Sequence, residues 1–281
     1  MEILKTIRDA KTYVNDLKKQ GNTIGLVPTM GYFHDGHLEL MKRSIKKGHE
    51  TIVSLFVNPA QFAPTEDFDS YPKDLQRDLD LAKKIGVKAI FMPTVKDMYP
   101  EGYKTYVEVE GLSNILCGQH RDGHFRGVAT IVLKLFNIIQ PHEAFFGQKD
   151  GQQVIIIKKM IKDLDLDISV QVVPTEREED GLAMSSRNAY LGPIERQAAP
   201  ILYQTLKLLE EMILKGERNT YILIDAGKSN ILKEPLANLE YIDIKSTNDL
   251  SDLGELKGEF MIAMAVKIGP ARLIDNIVLK I

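Results

Sequence analysis

Two histidines three residues apart, His34 and His37, stand in the run Pro28-Thr29-Met30-Gly31-Tyr32-Phe33-His34-Asp35-Gly36-His37. A short β-branched stretch precedes the run and a segment with helical spacing follows it, so a turn carrying two glycines delivers two imidazoles to the start of a helix. Backbone N–H groups there lack intrahelical partners and the helix dipole is positive, which holds an anion without a full charge. The imidazoles add donors that become cationic within the physiological range. Phosphate binding uses all of these features. Two other readings stay open on these residues alone: the histidines cap the helix, or they ligate a metal from one helical face. The metal reading lacks the H-E-x-x-H arrangement and a third ligand nearby.

Four more segments place polar groups at element ends. Asn58 and Gln61, in the run F-V-N-P-A-Q-F at 56–62, follow a buried strand directly, where open parallel sheets bind ligands. Gly147-Gln148-Lys149-Asp150 leaves another short strand and enters a helix carrying Gln152 and Gln153. Glycine there permits close backbone approach, Lys149 is a point charge for phosphate, and Asp150 is an acceptor for ribose hydroxyls. By itself that pair reads equally as an exposed turn. Met184-Ser185-Ser186-Arg187-Asn188 supplies hydroxyls and a guanidinium, the donors of a mobile phosphate clamp or of a solvated loop. Arg121 and the run G-H-F-R-G at 123–127 put His124 and Arg126 at the mouth of an apolar helix, as ligand contacts or as a helix cap.

These segments need a scaffold, and the chain alternates strand and helix through roughly its first 175 residues. Residues 23–27, 51–57, 88–92, 144–146 and 168–173 read as short apolar strands; 38–47, 75–85, 128–139 and 152–161 read as the helices between them. That alternation predicts an α/β fold, a Rossmann-like doubly wound parallel sheet. After Pro174 the order changes to helices at 194–214 and 221–232, then strands at 241–244, 260–266 and 273–279. The expected organisation is a nucleotide- and substrate-binding domain over 1–175 and a smaller α+β domain over 176–281. No internal repeat or low-complexity tract is evident.

The composition narrows the class. The 281 residues are 44% hydrophobic and 27% charged with a formal net charge of −3, which gives no support for bulk binding to nucleic acid or anionic membrane. A single cysteine, Cys117, precludes an intramolecular disulfide and a cysteine-rich zinc site. The start mixes charges of both signs and no run approaches the ~18 apolar residues of a membrane span, so the cytoplasm is the expected location. Gly227-Lys228-Ser229 suggests a P-loop, but Ile222 stands where its first glycine is required.

Taken together, the motifs resemble those of the pantoate–β-alanine ligase family over nearly the whole chain. They are P-T-M-G-x-x-H-x-G-H at 28–37, F-V-N-P-x-Q-F at 56–62, Tyr71-Pro72, G-H-F-x-G-V at 123–128, G-x-K-D-x-Q-Q at 147–153, D-G-L-A-M-S-S-R-N at 180–188 and A-R-L-I-D-N at 271–276. The histidine motif is similar to the H-I-G-H signature of adenylyl-transferring enzymes, and M-S-S-R to their K-M-S-K-S loop. The resemblance implies ATP-dependent condensation of (R)-pantoate with β-alanine to pantothenate, through a pantoyl adenylate, with release of pyrophosphate and AMP. It implies Mg2+ with the ATP, a homodimer, and a C-terminal domain forming a lid over the site.

By matching position, Met30, Gly31, Tyr32, Phe33, His34, Asp35, Gly36 and His37 would contact ATP, with His37 the implied proton donor. Gly147 and Asp150 would meet the ribose, and Gln148 is also among the implied ATP contacts. Lys149, Ser185, Ser186 and Arg187 would hold the phosphates, Met184 is also an implied ATP contact, and Glu176 would lie near the adenine. His37, His34, Lys149 and Arg187 carry the catalysis in this reading. Gln61 and Gln153 would bind pantoate, and Asp78 is a partner behind the site.

The sequence departs from the family pattern at several of these positions. Tyr32-Phe33 replaces a smaller pair, an expected narrowing of the way in. Gln148 stands where glutamate is common, Gly151 where a larger residue is usual, and Glu176 where an apolar one is. Two other classes compete: another adenylyltransferase, which need not carry Gln61 and Gln153 together, and a non-catalytic nucleotide-binding module, which has no use for both histidines, Lys149 and the serine–arginine loop.

Overall fold

The apolar runs of the first 173 residues form six strands, β1 (Glu2–Leu4), β2 (Ile24–Thr29), β3 (Glu50–Leu55), β4 (Ala89–Phe91), β5 (Glu143–Gly147) and β6 (Ser169–Val173). The computed structural model describes residues 1–64 and 66–281. The helices in chain order are α1 (Ile7–Lys19), α2 (Asp35–Lys46), α3 (Leu75–Ile85), α4 (Val95–Met98), α5 (Cys117–His120), α6 (His124–Ile139), α7 (Gly151–Asp163), α8 (Pro193–Ala198), α9 (Ile201–Leu214) and α10 (Thr220–Ile231). Three C-terminal strands follow: β7 (Ala237–Ser246), β8 (Glu259–Ile268) and β9 (Ala271–Lys280). Among the described residues no helix is long and apolar enough to cross a membrane.

Two units emerge. The first comprises Met1–Asn114, Arg121–Gly147 and Ile156–Val173; the second comprises Ile115–His120, Gln148–Ile155 and Pro174–Ile281. The chain therefore passes between units more than once, with two short excursions before the main crossing at Pro174.

In the first unit all six strands pair in parallel, in the order β1-β4-β3-β2-β5-β6. Central parallel strands are covered on both faces, which is why β2 and β3 read as continuous apolar runs rather than alternating ones. The chain walks outward from β2 through β3 to β4, then returns to the far side of β2 with β5. That reversal makes the carboxyl ends of β2 and β5 the switch point, where such sheets leave a crevice. Val27, Phe33, Met41, Val53, Ile90 and Phe145 are buried together in the core behind it.

The second unit builds an antiparallel sheet β7-β8-β9 with β8 central. One face packs on α9 and α10 through Leu206, Leu209, Leu223, Ile262, Met264 and Leu273. Side chains alternate faces along a strand, so Met261 and Ala263 of β8 and Arg272 and Asn276 of β9 project to the opposite side.

Several boundaries differ from the sequence reading. The strand β1 and helix α1 were not anticipated, although Thr6 and Asp9 form a reciprocal capping box at the start of α1. Helix α6 begins at His124, so the G-H-F-R-G run forms its first turn instead of preceding it. The single helix expected at 194–214 is two, because Pro200 has no N–H to donate and stands between Ala198 and Ile201.

Candidate active site

The turn after β2 carries the two histidines, and its shape is imposed from α3. Gly31 and Tyr32 both have positive φ, +91° and +54°, a region that costs a non-glycine residue steric energy. The carboxylate of Asp78 takes the Tyr32 N–H at Oδ2 and the Phe33 N–H at Oδ1, each at 2.7 Å. Asp78 is buried. Burial pushes its carboxyl above the ordinary range, against the pull of the two N–H bonds.

The Phe33 side chain lies wholly in the core. It therefore does not narrow the way in, and its N–H is taken by Asp78. The Arg77 guanidinium lies 5.5 Å from the Tyr32 ring centroid.

His34 is the N-cap of α2, Asp35 and Gly36 open the first turn, and His37 is its third residue. His37 Nδ1 accepts the His34 N–H at 3.3 Å, which leaves the proton of the neutral ring on Nε2, and the two ring centroids are 4.0 Å apart. Capping and ligand binding are thus not alternatives: the cap position gathers both rings at the positive end of the helix.

Beyond β3, a 3-10 turn at Pro59–Gln61 carries Gln61. It packs so closely on α6 that a Cβ at Gly127 would meet the Ala60 carbonyl. Behind it sits Asn58, whose orientation the backbone decides. Its Nδ2 donates to the Gly127 carbonyl at 3.1 Å, and its Oδ1 accepts the Ala60 N–H at 3.3 Å and the Tyr99 hydroxyl at 2.7 Å. Burial raises the Tyr99 phenol well above its usual range and keeps it a donor. The second Nδ2 hydrogen reaches Gln61 Oε1 at 3.0 Å, so Gln61 turns its NH2 outward, 3.2 Å from the Met30 sulfur. A side chain that by type both donates and accepts is here set to donate.

Arg121 and His124 clasp the same segment. Arg121 binds Glu66 through Nε at 2.6 Å and a terminal nitrogen at 2.9 Å, and its other terminal nitrogen meets His124 Nε2 at 2.9 Å. Since a guanidinium only donates, His124 carries its proton on Nδ1 and gives it to the Gln61 carbonyl, 2.8 Å away. Burial alone would push the Glu66 carboxyl up, but the Arg121 bonds hold it below the ordinary range. Arg126 is exposed and lies 4.1 Å from the Tyr106 ring centroid, away from this clasp.

In the second unit, Gln148, Lys149 and Asp150 form a 3-10 turn that runs from Gly147 into α7. The two glutamines of α7 part ways. Gln152 is buried, its Oε1 accepting the Cys117 N–H at 3.0 Å and its Nε2 donating to the Ile115 carbonyl at 2.7 Å. Gln153, one position on and about 100° round the helix, is half-buried.

The 176–187 segment folds back on itself: the Met184 N–H donates to the Glu176 carbonyl at 2.9 Å, and Glu178 N–H to the Leu182 carbonyl at 2.8 Å. Gly181 turns the hairpin at φ +92°. Ser185 caps the next 3-10 turn by accepting the Arg187 N–H at 3.3 Å; Ser186 is buried and Arg187 half-buried. Cys117 faces the Tyr241 hydroxyl at 3.0 Å.

Sequence reading gave Asp78 no definite task and passed over Glu66. For Asp78 a signal existed: it is a lone acid on the apolar stripe of α3, between Leu75 and Ala82, where a charge needs a buried partner.

Comparison with known proteins places the chain in a family. The family model described as pantoate-beta-alanine ligase matches residues 2–278. The pantothenate synthetase of Acetivibrio thermocellus is 51% identical over 281 residues, and that of Carboxydothermus hydrogenoformans 52% over 282, each match covering both chains completely. Among solved structures, the pantothenate synthetase of Thermus thermophilus superposes with a TM-score of 0.94 at 40% identity, covering 99% of each chain. The pantoate-beta-alanine ligase of Francisella tularensis, complexed with beta-gamma ATP and beta-alanine, gives 0.80 at 36%, covering 99% of this chain and 97% of that one.

Proposed function

The chain belongs to the pantoate–β-alanine ligase family, and from that premise we propose that it condenses pantoate with β-alanine through an acyl adenylate made from ATP. The observation that carries this reading is the pair of imidazoles gathered at the cap and third position of α2, on a turn pinned by Asp78 at the carboxyl end of a central parallel strand. A pantoate carboxylate oxygen attacks the α-phosphorus, the bond to pyrophosphate breaks, and the amine of β-alanine then attacks the acyl carbon, loses a proton and expels AMP. Adenylation supplies the leaving group, so no enzyme nucleophile is needed, and the protein contributes positioning and charge stabilisation.

His34 and His37 donate to the phosphates, His37 from Nε2, while Met30, Gly31, Tyr32, Phe33, Asp35 and Gly36 shape the nucleotide contact. Lys149, Ser185, Ser186 and Arg187 hold phosphate charge, with Met184 beside them. Gly147 and Asp150 serve the ribose, Gln148 is a further nucleotide contact, and Glu176 lies by the adenine through its main chain. Gln61 donates its amide hydrogens to a pantoate oxygen and Gln153 binds the same substrate.

Magnesium fits this scheme as an ion carried by the nucleotide. Among the described residues there is no group of three or more His, Cys, Asp or Glu able to hold a metal, and magnesium is commonly held by phosphates, water and few carboxylates. When bound, it would supply positive charge to offset that of the phosphates, beside Lys149 and Arg187. The proposal extends to a homodimer in the cytoplasm, supported by the family likeness and the balanced composition.

The decisive experiment is exchange of labelled pyrophosphate into ATP with pantoate present and β-alanine absent. Pantoate-dependent exchange is expected. Exchange that ignores pantoate, or ATP binding with no exchange at all, would remove the ligase reading.

A further inference from the structure

The A-R-L-I-D-N run at 271–276 has no task in the reaction as described, yet its last residue grips a proposed phosphate-binding segment. Asn276, buried on β9, sends both hydrogens of its amide nitrogen to successive main-chain carbonyls, Gln148 at 2.9 Å and Lys149 at 2.8 Å. Carbonyls only accept, so the amide cannot be turned the other way. Its oxygen accepts from Gln148 Nε2 at 2.9 Å, so three bonds of this one amide go to a single turn.

Those two carbonyls belong to the peptide planes on either side of the Lys149 Cα. A peptide plane is rigid, and the torsions between two such planes are the φ and ψ of the residue they flank. Holding both planes therefore sets the direction in which Lys149 leaves the backbone. A lysine side chain has several rotatable bonds, so the root direction is the part of its position that the fold can dictate.

The platform itself is held from the other face of the strand. Asp275 accepts from two nitrogens of Arg177, at 2.6 and 3.0 Å, and from the Asn276 N–H at 2.8 Å. Arg177 also donates to the Gly181 carbonyl at 3.0 Å and stacks 4.3 Å from the Tyr203 ring centroid.

Two further residues of this chain fit the same contact. A glutamate at 148 would set an acceptor against the Asn276 oxygen, whereas Gln148 supplies the donor. A side chain at 151 would begin 2.5 Å from the Met261 sulfur and 3.2 Å from the Asn276 nitrogen, whereas Gly151 leaves that space to them.

We propose that Asn276 is a positioning residue for adenylation, holding the 148–150 turn so that Lys149 is aimed at phosphate, with Gln148 as its side-chain partner. This rests on the phosphate role proposed for Lys149, and it makes the C-terminal sheet part of the nucleotide machinery.

The test is Asn276→Asp, nearly the same shape with its donors removed, assayed by pantoate-dependent pyrophosphate exchange beside the unmodified protein and Lys149→Ala. The KM for ATP should rise and kcat fall, together about tenfold or more in kcat/KM, the equivalent of one or two lost hydrogen bonds. The KM for pantoate should stay within about twofold, since a specific aim and not general loosening is at stake. Wild-type ATP kinetics in a folded Asn276→Asp protein, or equal rises in both KM values, would overturn the proposal. If Asn276→Asp does not fold, Gln148→Glu decides instead: a smaller rise confined to the KM for ATP supports the proposal, and no change overturns it. Lys149→Ala separates the layers. If that variant keeps full exchange, the phosphate role of Lys149 has failed; if it loses exchange while Asn276→Asp and Gln148→Glu do not, the positioning role alone has failed.

Discussion

The turn at Tyr32 and the turn at Lys149 solve one problem with opposite polarity. Each follows a parallel strand, each leads into a helix, and in each a buried side chain distant in sequence holds the two peptide planes flanking one residue. Asp78 does this by accepting two N–H groups; Asn276 does it by donating to two carbonyls. The choice follows from what must be held. At Tyr32 the backbone is in the left-handed region, and a carboxylate binding adjacent N–H groups offsets that cost with charge-assisted bonds. At Lys149 the turn is ordinary 3-10, and a neutral amide suffices where a second carboxylate beside proposed phosphate ligands would repel the substrate. In both, a residue distant in sequence fixes the backbone of a turn that carries proposed ligand contacts.

If display and holding are separate tasks, removing a displayed group should cost activity and leave the fold intact. His37→Ala is expected to slow adenylation by roughly 100-fold or more, as loss of a transition-state donor does, with a loss of stability no larger than the one cap bond it accepts from the His34 N–H. His49→Ala should be nearly silent, because His49 bonds Thr23 at the opposite end of the strands. Equal effects of the two in single-turnover adenylation would break the assignment.

Removing a holder should cost both. Asp78→Asn places an amide N–H against one of two backbone N–H donors and leaves one unsatisfied, an expected loss of about 1–3 kcal/mol in denaturant unfolding together with slower adenylation. An unchanged midpoint would mean that the Tyr32 turn keeps its shape unaided.

Gln61 sharpens the point, since its polarity is set by Asn58. Gln61→Ala should weaken pantoate binding by on the order of 1–3 kcal/mol in calorimetry and leave ATP binding nearly unchanged. Gln61→Glu should be worse: one oxygen would still accept from Asn58 while the other faced an anionic substrate. If Gln61→Glu bound pantoate as well as wild type, the donor would have to be another group.

The smallest expected effect concerns the clasp behind Gln61. The folded-state pKa of Glu66 is lowered, so its stabilisation is present above the unfolded carboxylate value, near pH 4.5, and is lost as pH falls through the folded value. Glu66→Gln should therefore lose about 1 kcal/mol at neutral pH and show a flatter acid limb in urea midpoints measured against pH. An acid limb identical to wild type would place the titration elsewhere.

Much of this was legible in residue order. Continuous apolar runs with helical segments between them announced a parallel sheet, and the paired histidines after a strand announced a helix N-terminus. The break at Pro200 and the capping box at Thr6 were local signals too, masked by a long apolar stripe in one case and a charged N-terminal run in the other. The residues standing behind the site were far less legible. Asp78 lies 45 residues from one of the N–H groups it holds, and Asn276 lies 128 from one carbonyl. An amide on a C-terminal strand carries nothing in its own neighbourhood to say which turn it will meet.

By itself, then, the chain determined its elements, its family and the types of group available to bind phosphate and carboxylate, because those follow from periodicity, turn chemistry and motif. Tertiary structure alone decided which of those groups are displayed and which are consumed. Gln152 and Gln153 are identical by type and adjacent, yet one spends both ends of its amide on the 115–117 backbone. Phe33 sits inside a ligand motif and fills the core. Gln61 can donate or accept, and Asn58, oriented by one carbonyl and one N–H, makes it donate. The physical reason is the same throughout: a polar side chain offers more hydrogen-bonding options than it can use at once, and only the groups packed around it remove the surplus.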